Sequence, residues 1–183
     1  ELLQKLPFES ISILGKHDLL VRDVICTPNP LPEYYPVILE NRSKLPASGL
    51  DWLNRLTPNK EVNLLNYKLK LFHGTPDDPI NGRFYPDNDK KYDWFPNVNE
   101  LVLMGHTHYP LAFQSPSGGW VINPGSIGQP RKKGAKSSFC IIDLDDFKVD
   151  FVEFSYDVVS VIKELESLDW YPRAIESLKR CAF

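Results

Sequence analysis

The sequence predicts an α/β fold in a single domain, and three observations carry that prediction. Short apolar runs at Ile11–Leu14, Leu69–Phe72 and Leu101–Met104 have the length of strands, and the last, uninterrupted by any polar residue, reads as buried on both faces. Helical spacing of apolar residues recurs between and after these runs, at Gly49–Leu56 and from Val158 onward. All 4 histidines lie just past one of the runs: His17, His73, and the pair His106 and His108. In layered α/β proteins, strand ends are where loops converge on a site.

With 183 residues, 42% of them hydrophobic, the chain has enough apolar side chain for a sizeable core. A net charge of -3 argues against a general nucleic-acid or anionic-membrane binder, and leaves room for a local basic patch. No apolar run reaches the roughly 18 residues that a membrane span needs. Cys26, Cys140 and Cys181 are far apart and in no CxxC spacing, which fits incidental thiols of a reducing compartment, here the cytoplasm.

Taken in order, Glu1–Leu6 reads as the last turns of a helix, stopped by Pro7. A strand at Ile11–Leu14 then delivers Gly15–Lys16–His17–Asp18. Leu19–Ser48 carries Pro28, Pro30, Pro32, Pro36 and Pro46, too many for a regular helix, and reads as a long surface excursion. Gly49–Leu56 places Leu50, Leu53 and Leu56 on one helical face, and Thr57–Pro58 ends it. Glu61–Leu65 and Tyr67–Phe72, parted by Asn66, form a hairpin that delivers His73–Gly74.

Between Asp77 and Asn99 the chain is polar and dotted with Phe84, Tyr85, Tyr92, Trp94 and Phe95. A short helix is expected near Lys90–Phe95, with the aromatics packed on the sheet. Tyr109–Gln114 and Trp120–Asn123 flank the turn Ser115–Gly119, and Asn123–Arg131 is too rich in glycine and proline for anything but a tight loop. Arg131, Lys132, Lys133 and Lys136 form the dense basic cluster, either a solvated loop or an attractor of phosphate at a cleft edge. Ser138–Leu144 and Lys148–Phe154 make a second hairpin. Val149 and Phe151 share one face of its last strand and Val152 and Phe154 the other, so that strand is either buried on both sides or bulged. Asp157 caps a helix whose stripe is Val158, Val161, Ile162, Leu165 and Leu168, and a last helix follows Pro172.

The chemistry centres on Gly105–His106–Thr107–His108. Glycine lets the chain turn where another group comes close, and in an extended His-Thr-His step the two rings diverge. Such a pair can serve two neighbouring metals, or one metal and one substrate, better than it can chelate one ion; the plainer reading is two loop histidines hydrogen-bonded to backbone.

Together, four motifs in order resemble those of the calcineurin-like metallophosphoesterases. Gly15–Lys16–His17–Asp18 is similar to the family's Gly-Asn-His-Asp motif, His73–Gly74 to its His-Gly, and Gly105–His106–Thr107–His108 to its Gly-His-Thr-His. Asn123–Pro124–Gly125–Ser126, continuing to Gln129–Pro130–Arg131, resembles a loop of the small bacterial and archaeal phosphodiesterase branch. The resemblance implies a four-layer sandwich, two mixed β-sheets flanked by helices, with a two-metal centre at the strand ends. By it, His73 and His106 would ligate one divalent ion (Mn, Fe or Zn) and His108 the other. His17 would face the phosphate of a phosphate-ester substrate, oriented by Asp18, with Arg131 binding the substrate.

Two departures qualify that expectation. The family's Asp-x-His and Gly-Asp-x-x-Asp motifs, which supply carboxylate ligands, are not in this sequence, so the chain reads as N-terminally incomplete, with about fifty to sixty residues expected before Glu1 for two βα units. Lys16 stands where the family has a metal-binding asparagine, and an ammonium repels a cation. Fewer than two ions per chain are therefore expected, with His73 and His106 left to hydrogen-bond. The function expected is metal-dependent hydrolysis of phosphodiesters or phosphomonoesters, or a catalytically degenerate scaffold on the same fold; nucleic acid is the least favoured partner.

Overall fold

Three parallel strands carry the candidate site. The computed structural model describes residues 5, 7–24, 35–85, 87, 92–131 and 136–180. Within them β1 (Asn59–Leu64), β2 (Tyr67–Phe72), β3 (Glu100–Leu103), β4 (Leu111–Gln114) and β5 (Trp120–Asn123) form one mixed sheet in the order β1-β2-β3-β5-β4. β2, β3 and β5 are parallel, with Leu69 opposite Leu101 and Val102 opposite Val121. β1 and β4 close the edges antiparallel to β2 and β5. The central positions Leu101, Val102, Val121 and Ile122 are essentially inaccessible, whereas β1 is exposed along most of its length. Parallel strands covered on both faces need such continuous apolar runs, and an edge strand does not.

One face of this sheet carries Phe72, Val102, Met104, Leu111 and Val121, and Phe84 is the hub that covers it. Phe84 is 2% exposed and meets Tyr92, Trp94, Phe95 and Phe113 edge-on, at centroid distances of 5.6 to 6.1 Å. The aromatic stretch thus packs on the sheet as expected, but Tyr92–Phe95 forms no helix; Lys90 lies outside the described residues. Tyr92, Trp94 and Phe95 all turn onto Phe84, which residues two apart on one helix cannot do.

Tyr67, Leu69, Leu101, Trp120 and Ile122 alternate to the opposite face. There a second, antiparallel sheet of β6 (Ser137–Asp143) and β7 (Lys148–Phe154) reaches over, its turn residue Phe147 stacking at 5.6 Å on Tyr67 and 5.2 Å on Trp120. β7 is neither buried on both sides nor bulged. Its register runs unbroken from Ser137 opposite Phe154 to Asp143 opposite Lys148, and Phe139, Ile141 and Phe151 remain 37–56% exposed. No third strand joins β6 or β7 among the described residues.

The proline-rich stretch is helical at both its ends. α1 (Lys16–Arg22) runs into its start, α2 (Tyr35–Lys44) lies within it, and α3 (Ala47–Arg55) begins at its close; Pro28, Pro30 and Pro32 lie outside the described residues. Pro36 sits in the first turn of α2 and Pro46 is the N-cap of α3, positions where a missing N–H costs no intrahelical bond. Arg42 of α2 donates to the carbonyls of Val21 and Arg22, closing the end of α1. Leu14, Leu53 and Leu56 make a second core cluster with Leu19, Leu45 and Trp52. Ile11–Leu14, expected as a strand, pairs with no strand among the described residues. It is held by one ladder-like bond, Leu14 N–H to Thr57 C=O at 2.7 Å. The helix expected at Glu1–Leu6 lies outside the described residues except for Lys5, as do Cys26 and Cys181.

Asp157 caps α4 (Val158–Ser167), accepting from the Ser160 N–H, and α5 (Pro172–Lys179) starts on its proline. Their shared cluster is Ile162, Ile175 and Leu178 with Val158, Leu165 and Trp170. Val161 and Leu168, assigned to the buried stripe by periodicity, are 37% and 61% exposed, because α5 covers only a narrow face of α4.

Replacing the aromatic hub tests this packing. Phe84→Ala should cost about 3–5 kcal/mol in urea unfolding, whereas Phe8→Ala, at a side chain 65% exposed, should stay within about 0.5 kcal/mol. Equal costs for the two would refute the hub assignment.

Candidate active site

The carboxyl ends of β2, β3 and β5 each release a loop into the same space, the usual position of a site in an open α/β sheet. β2 delivers His73 directly. β3 delivers Gly105–His106–Thr107–His108, and β5 delivers the loop from Asn123 to Arg131. His17 arrives differently from the sequence expectation, on the first turn of α1 and not past a paired strand. Its helix is brought alongside by the Leu14–Thr57 bond, which ties it to the chain entering β1.

All four histidines line one cleft of about 220 Å³, together with Ile13, Gly15, Lys16, Asp18 and Arg131. His73 Nε2 and His106 Nδ1 are 3.1 Å apart, with the rings edge to face at 4.9 Å. Arg83 donates from Nε to His106 Nε2 at 3.3 Å. His108 places Nδ1 2.7 Å from the Gln129 carbonyl, a contact only an N–H can make favourably, so its Nε2 keeps the lone pair that faces away. Asp18 spends one oxygen on the Gly15 N–H at 2.9 Å, capping α1. The approach at Gly15 is close: a Cβ there would lie 2.9 Å from Asp18 Oδ2 and 3.3 Å from His73 Nδ1, so any larger residue would push the Asp18 carboxylate aside.

The His-Thr-His step is not extended. His106 and His108 both adopt left-handed φ, 60° and 58°, rare for residues with a side chain. From these two left-handed positions flanking a buried Thr107, His106 turns to His73 and Arg83 and His108 to the Gln129 carbonyl, whereas an extended step would set residues two apart on one face. Asn123, 0% exposed at the end of β5, holds this conformation. Its Nδ2 donates to the Gly105 carbonyl at 2.7 Å and to Thr107 Oγ1 at 3.0 Å, and its Oδ1 accepts from the Gly125 N–H.

Charge and burial keep the imidazoles neutral. Loss of water lowers the pKa of all four below 6.5, and cationic neighbours add to it. His106, also facing His73, Arg83, Lys16 and Arg131, is pushed down to about 4. Asp18 pulls His17 and His73 the other way without reversing the balance. Neutral imidazoles are the form that donates lone pairs to a metal.

Residues 3–147 match the calcineurin-like phosphoesterase superfamily domain. This chain belongs to that superfamily. Membership implies metal-dependent hydrolysis of phosphate esters. An uncharacterized protein of Methanocaldococcus jannaschii is 29% identical, the match covering 85% of this chain and 69% of that protein. Two crystal structures share the fold. One, of a hypothetical protein of Pyrococcus horikoshii, has 23% identity and a TM-score of 0.73 and covers 91% of this chain and 71% of that one. The other, of a metallophosphoesterase of Sphaerobacter thermophilus, has 21% identity and a TM-score of 0.69, with coverage of 94% and 77%. No described helix of this phosphoesterase chain is long and apolar enough to cross a membrane.

The superfamily's divalent ions can be tested against the donors present. His73 Nε2 and His106 Nδ1 have the spacing of neighbouring donors on one ion, and His108 Nε2 is free of its backbone partner. Among the described residues, however, no three His, Cys, Asp or Glu side chains converge as an ion cage, and Lys16 and Arg83 bring positive charge to the same space. The described donors do not complete a two-ion centre. Sequence reasoning also missed Arg83, an isolated arginine in a polar stretch that carries no motif, and it quoted Asn123 within a loop without giving it a role. Of the basic cluster, Arg131 reaches the cleft; Lys132 and Lys133 lie outside the described residues.

Two measurements check this geometry. Asn123→Ala removes three hydrogen bonds from a sealed position and should cost at least about 2 kcal/mol, while shifting the ring resonances of His106 and His108 together; undisturbed rings would show that Asn123 does not hold the turn. In metal-free protein the folded state binds fewer protons on its histidines than the unfolded chain does. Their stability contribution is therefore present above pH 6.5 and lost as pH falls through about 4. Urea unfolding should weaken progressively over that window, and less steeply in His106→Asn. A flat profile between pH 6.5 and 4.5 would contradict the neutral-cluster description.

Proposed function

We propose that this chain is a phosphoester hydrolase whose cleft takes a phosphodiester in preference to a monoester, with divalent ions (Mn, Fe or Zn) contacted by His73, His106 and His108. The observation that carries the reading is the convergence of four neutral imidazoles with Lys16 and Arg131 in one cleft. A fold retained only as a scaffold has no physical need for that convergence. In the superfamily the ions supply an activated water; the remaining steps fall to this chain's own side chains.

Lys16 and Arg131 attract and orient the phosphate, Arg131 with the forked donors suited to two of its oxygens. His17, on the first turn of α1 at the cleft, faces that phosphate. An anion seated there offsets Lys16 and Arg131, two of the influences that hold its pKa low, so proton uptake accompanies substrate and the imidazolium can protonate the leaving alkoxide. Asp18 sets the His17 position through the start of α1 and favours its charged form. The widely spaced cysteines support a cytoplasmic setting, although only Cys140 is described, as a free thiol whose pKa burial raises.

Lys16 favours a second reading, a phosphate-binding scaffold without turnover, because its ammonium stands where an ion's amide ligand would be. Metal analysis and hydrolysis of bis(p-nitrophenyl) phosphate and p-nitrophenyl phosphate with added Mn²⁺ separate the two. The expected result is Mn²⁺-dependent turnover, faster on the diester, with fewer than two ions per chain and both quantities raised in Lys16→Asn. Phosphate binding without turnover in both proteins would establish the scaffold. Two tightly held ions in the unaltered chain, with diester turnover at the variant's rate, would make Lys16 a bystander.

A further inference from the structure

We infer that Arg83 is an internal competitor of the ion at His106, a positioning residue that keeps the proton on the ion-facing Nδ1 by binding Nε2 and makes ion binding at this site weak until the guanidinium is drawn away. The inference rests on the reading above that His106 faces an ion.

The hydrogen bonds have a determined direction. A guanidinium has donors and no acceptor, so the Arg83 Nε–H must point at a lone pair on His106 Nε2. A neutral imidazole whose Nε2 accepts carries its proton on Nδ1, and that Nδ1 lies 3.1 Å from His73 Nε2. The relay therefore runs from Arg83 to His106 to His73 and occupies three lone-pair or proton positions on the two rings. Both nitrogens with the spacing of neighbouring ion donors are then engaged, one as a donor and one as an acceptor. An ion must displace the Nδ1 proton to the other nitrogen, and the guanidinium must leave that nitrogen first.

The placement of Arg83 is built into the fold and not left to a free loop. Gly82, immediately before it, has no room for a side chain: a Cβ would lie 1.9 Å from Thr75 Oγ1 and 2.6 Å from the Asp78 carbonyl. The turn it closes is knitted by bonds from Gly74 N–H to Pro79 C=O, between Thr75 and Asp78 in both directions, and from Gly82 N–H to Asp78 C=O. Phe84, immediately after, is the buried hub of the aromatic cluster. Arg83 is thus suspended between two fixed points, its own side chain exposed and directed back to His106. A phosphate entering the cleft supplies the stronger partner for a guanidinium, a charge-assisted oxygen in place of a neutral ring nitrogen. Substrate and ion are thereby coupled: the anion draws off the group that blocks the cation.

Mn²⁺ titration of the metal-free full chain without phosphate, monitored by calorimetry, tests the competition. Arg83→Met should bind Mn²⁺ about tenfold more tightly than the unaltered protein; equal or weaker binding, or no binding by either protein, overturns the inference. Ring ¹⁵N shifts of the metal-free proteins provide a readout independent of ion and substrate. His106 should be the Nδ1–H tautomer in the unaltered chain and lose that bias in Arg83→Met, and an Nε2–H tautomer in the unaltered chain also overturns it. Failure of the phosphoesterase reading would appear instead as absent diester hydrolysis, leaving the tautomer shift intact.

Discussion

The site depends on one sealed amide. Asn123 stands at the end of the buried strand β5, beside β3, and its three hydrogen bonds tie the Gly105–Thr107 turn to the start of the Gly125 loop. Asn123, sealed from water, satisfies its whole amide on these three partners, while the Gly105 carbonyl also accepts from the Thr107 N–H and Thr107 Oγ1 from the Tyr109 N–H, so the bonds interlock and hold the turn in one shape. That shape requires two left-handed histidines, a conformation that costs free energy and persists only when the surroundings over-determine it. The parallel strands fix where the loops begin, and Asn123 fixes how the central one bends.

Electrostatics then decides what the assembled rings can do. Four imidazoles crowded beside Lys16, Arg83 and Arg131, with Asp18 as the single carboxylate lining the cleft among the described residues, stay neutral. The same positive field attracts phosphate and opposes metal cations. A cleft of this kind is biased toward the anion and accepts a cation on harder terms. Arg83 sharpens the bias because it faces a lone pair directly and does not merely raise the local potential.

Local signals were sufficient for much of the fold. The apolar run at Leu101–Met104, the hairpin about Asn66, the turn at Ser115–Gly119 and the cap at Asp157 each depend on residues adjacent in the chain, and each is where the pattern placed it. The failures share a cause. Pro36 and Pro46 read as helix breakers because composition does not reveal that they fall at helix starts. Ile11–Leu14 has the pattern of a strand, but a strand needs a neighbour, and pairing is not a local property. Leu168 fits the helical period yet is exposed, since burial is conferred by α5 and not by α4 itself.

For the site the division is similar. The sequence by itself determined which residues were candidates: four histidines in recognisable surroundings, Asp18 and Arg131, and Lys16 beside them, all of which line one cleft. Only the tertiary structure decided their relations: that His17 rides a helix, that His106 and His108 part through left-handed backbone, and that Arg83 and Asn123 belong to the site at all. Motifs are legible because their residues are close in sequence and restricted in type. Arg83 is 23 positions from the ring it contacts and Asn123 is 16 from Thr107, so each owes its role to a fold that no stretch of neighbouring residues encodes.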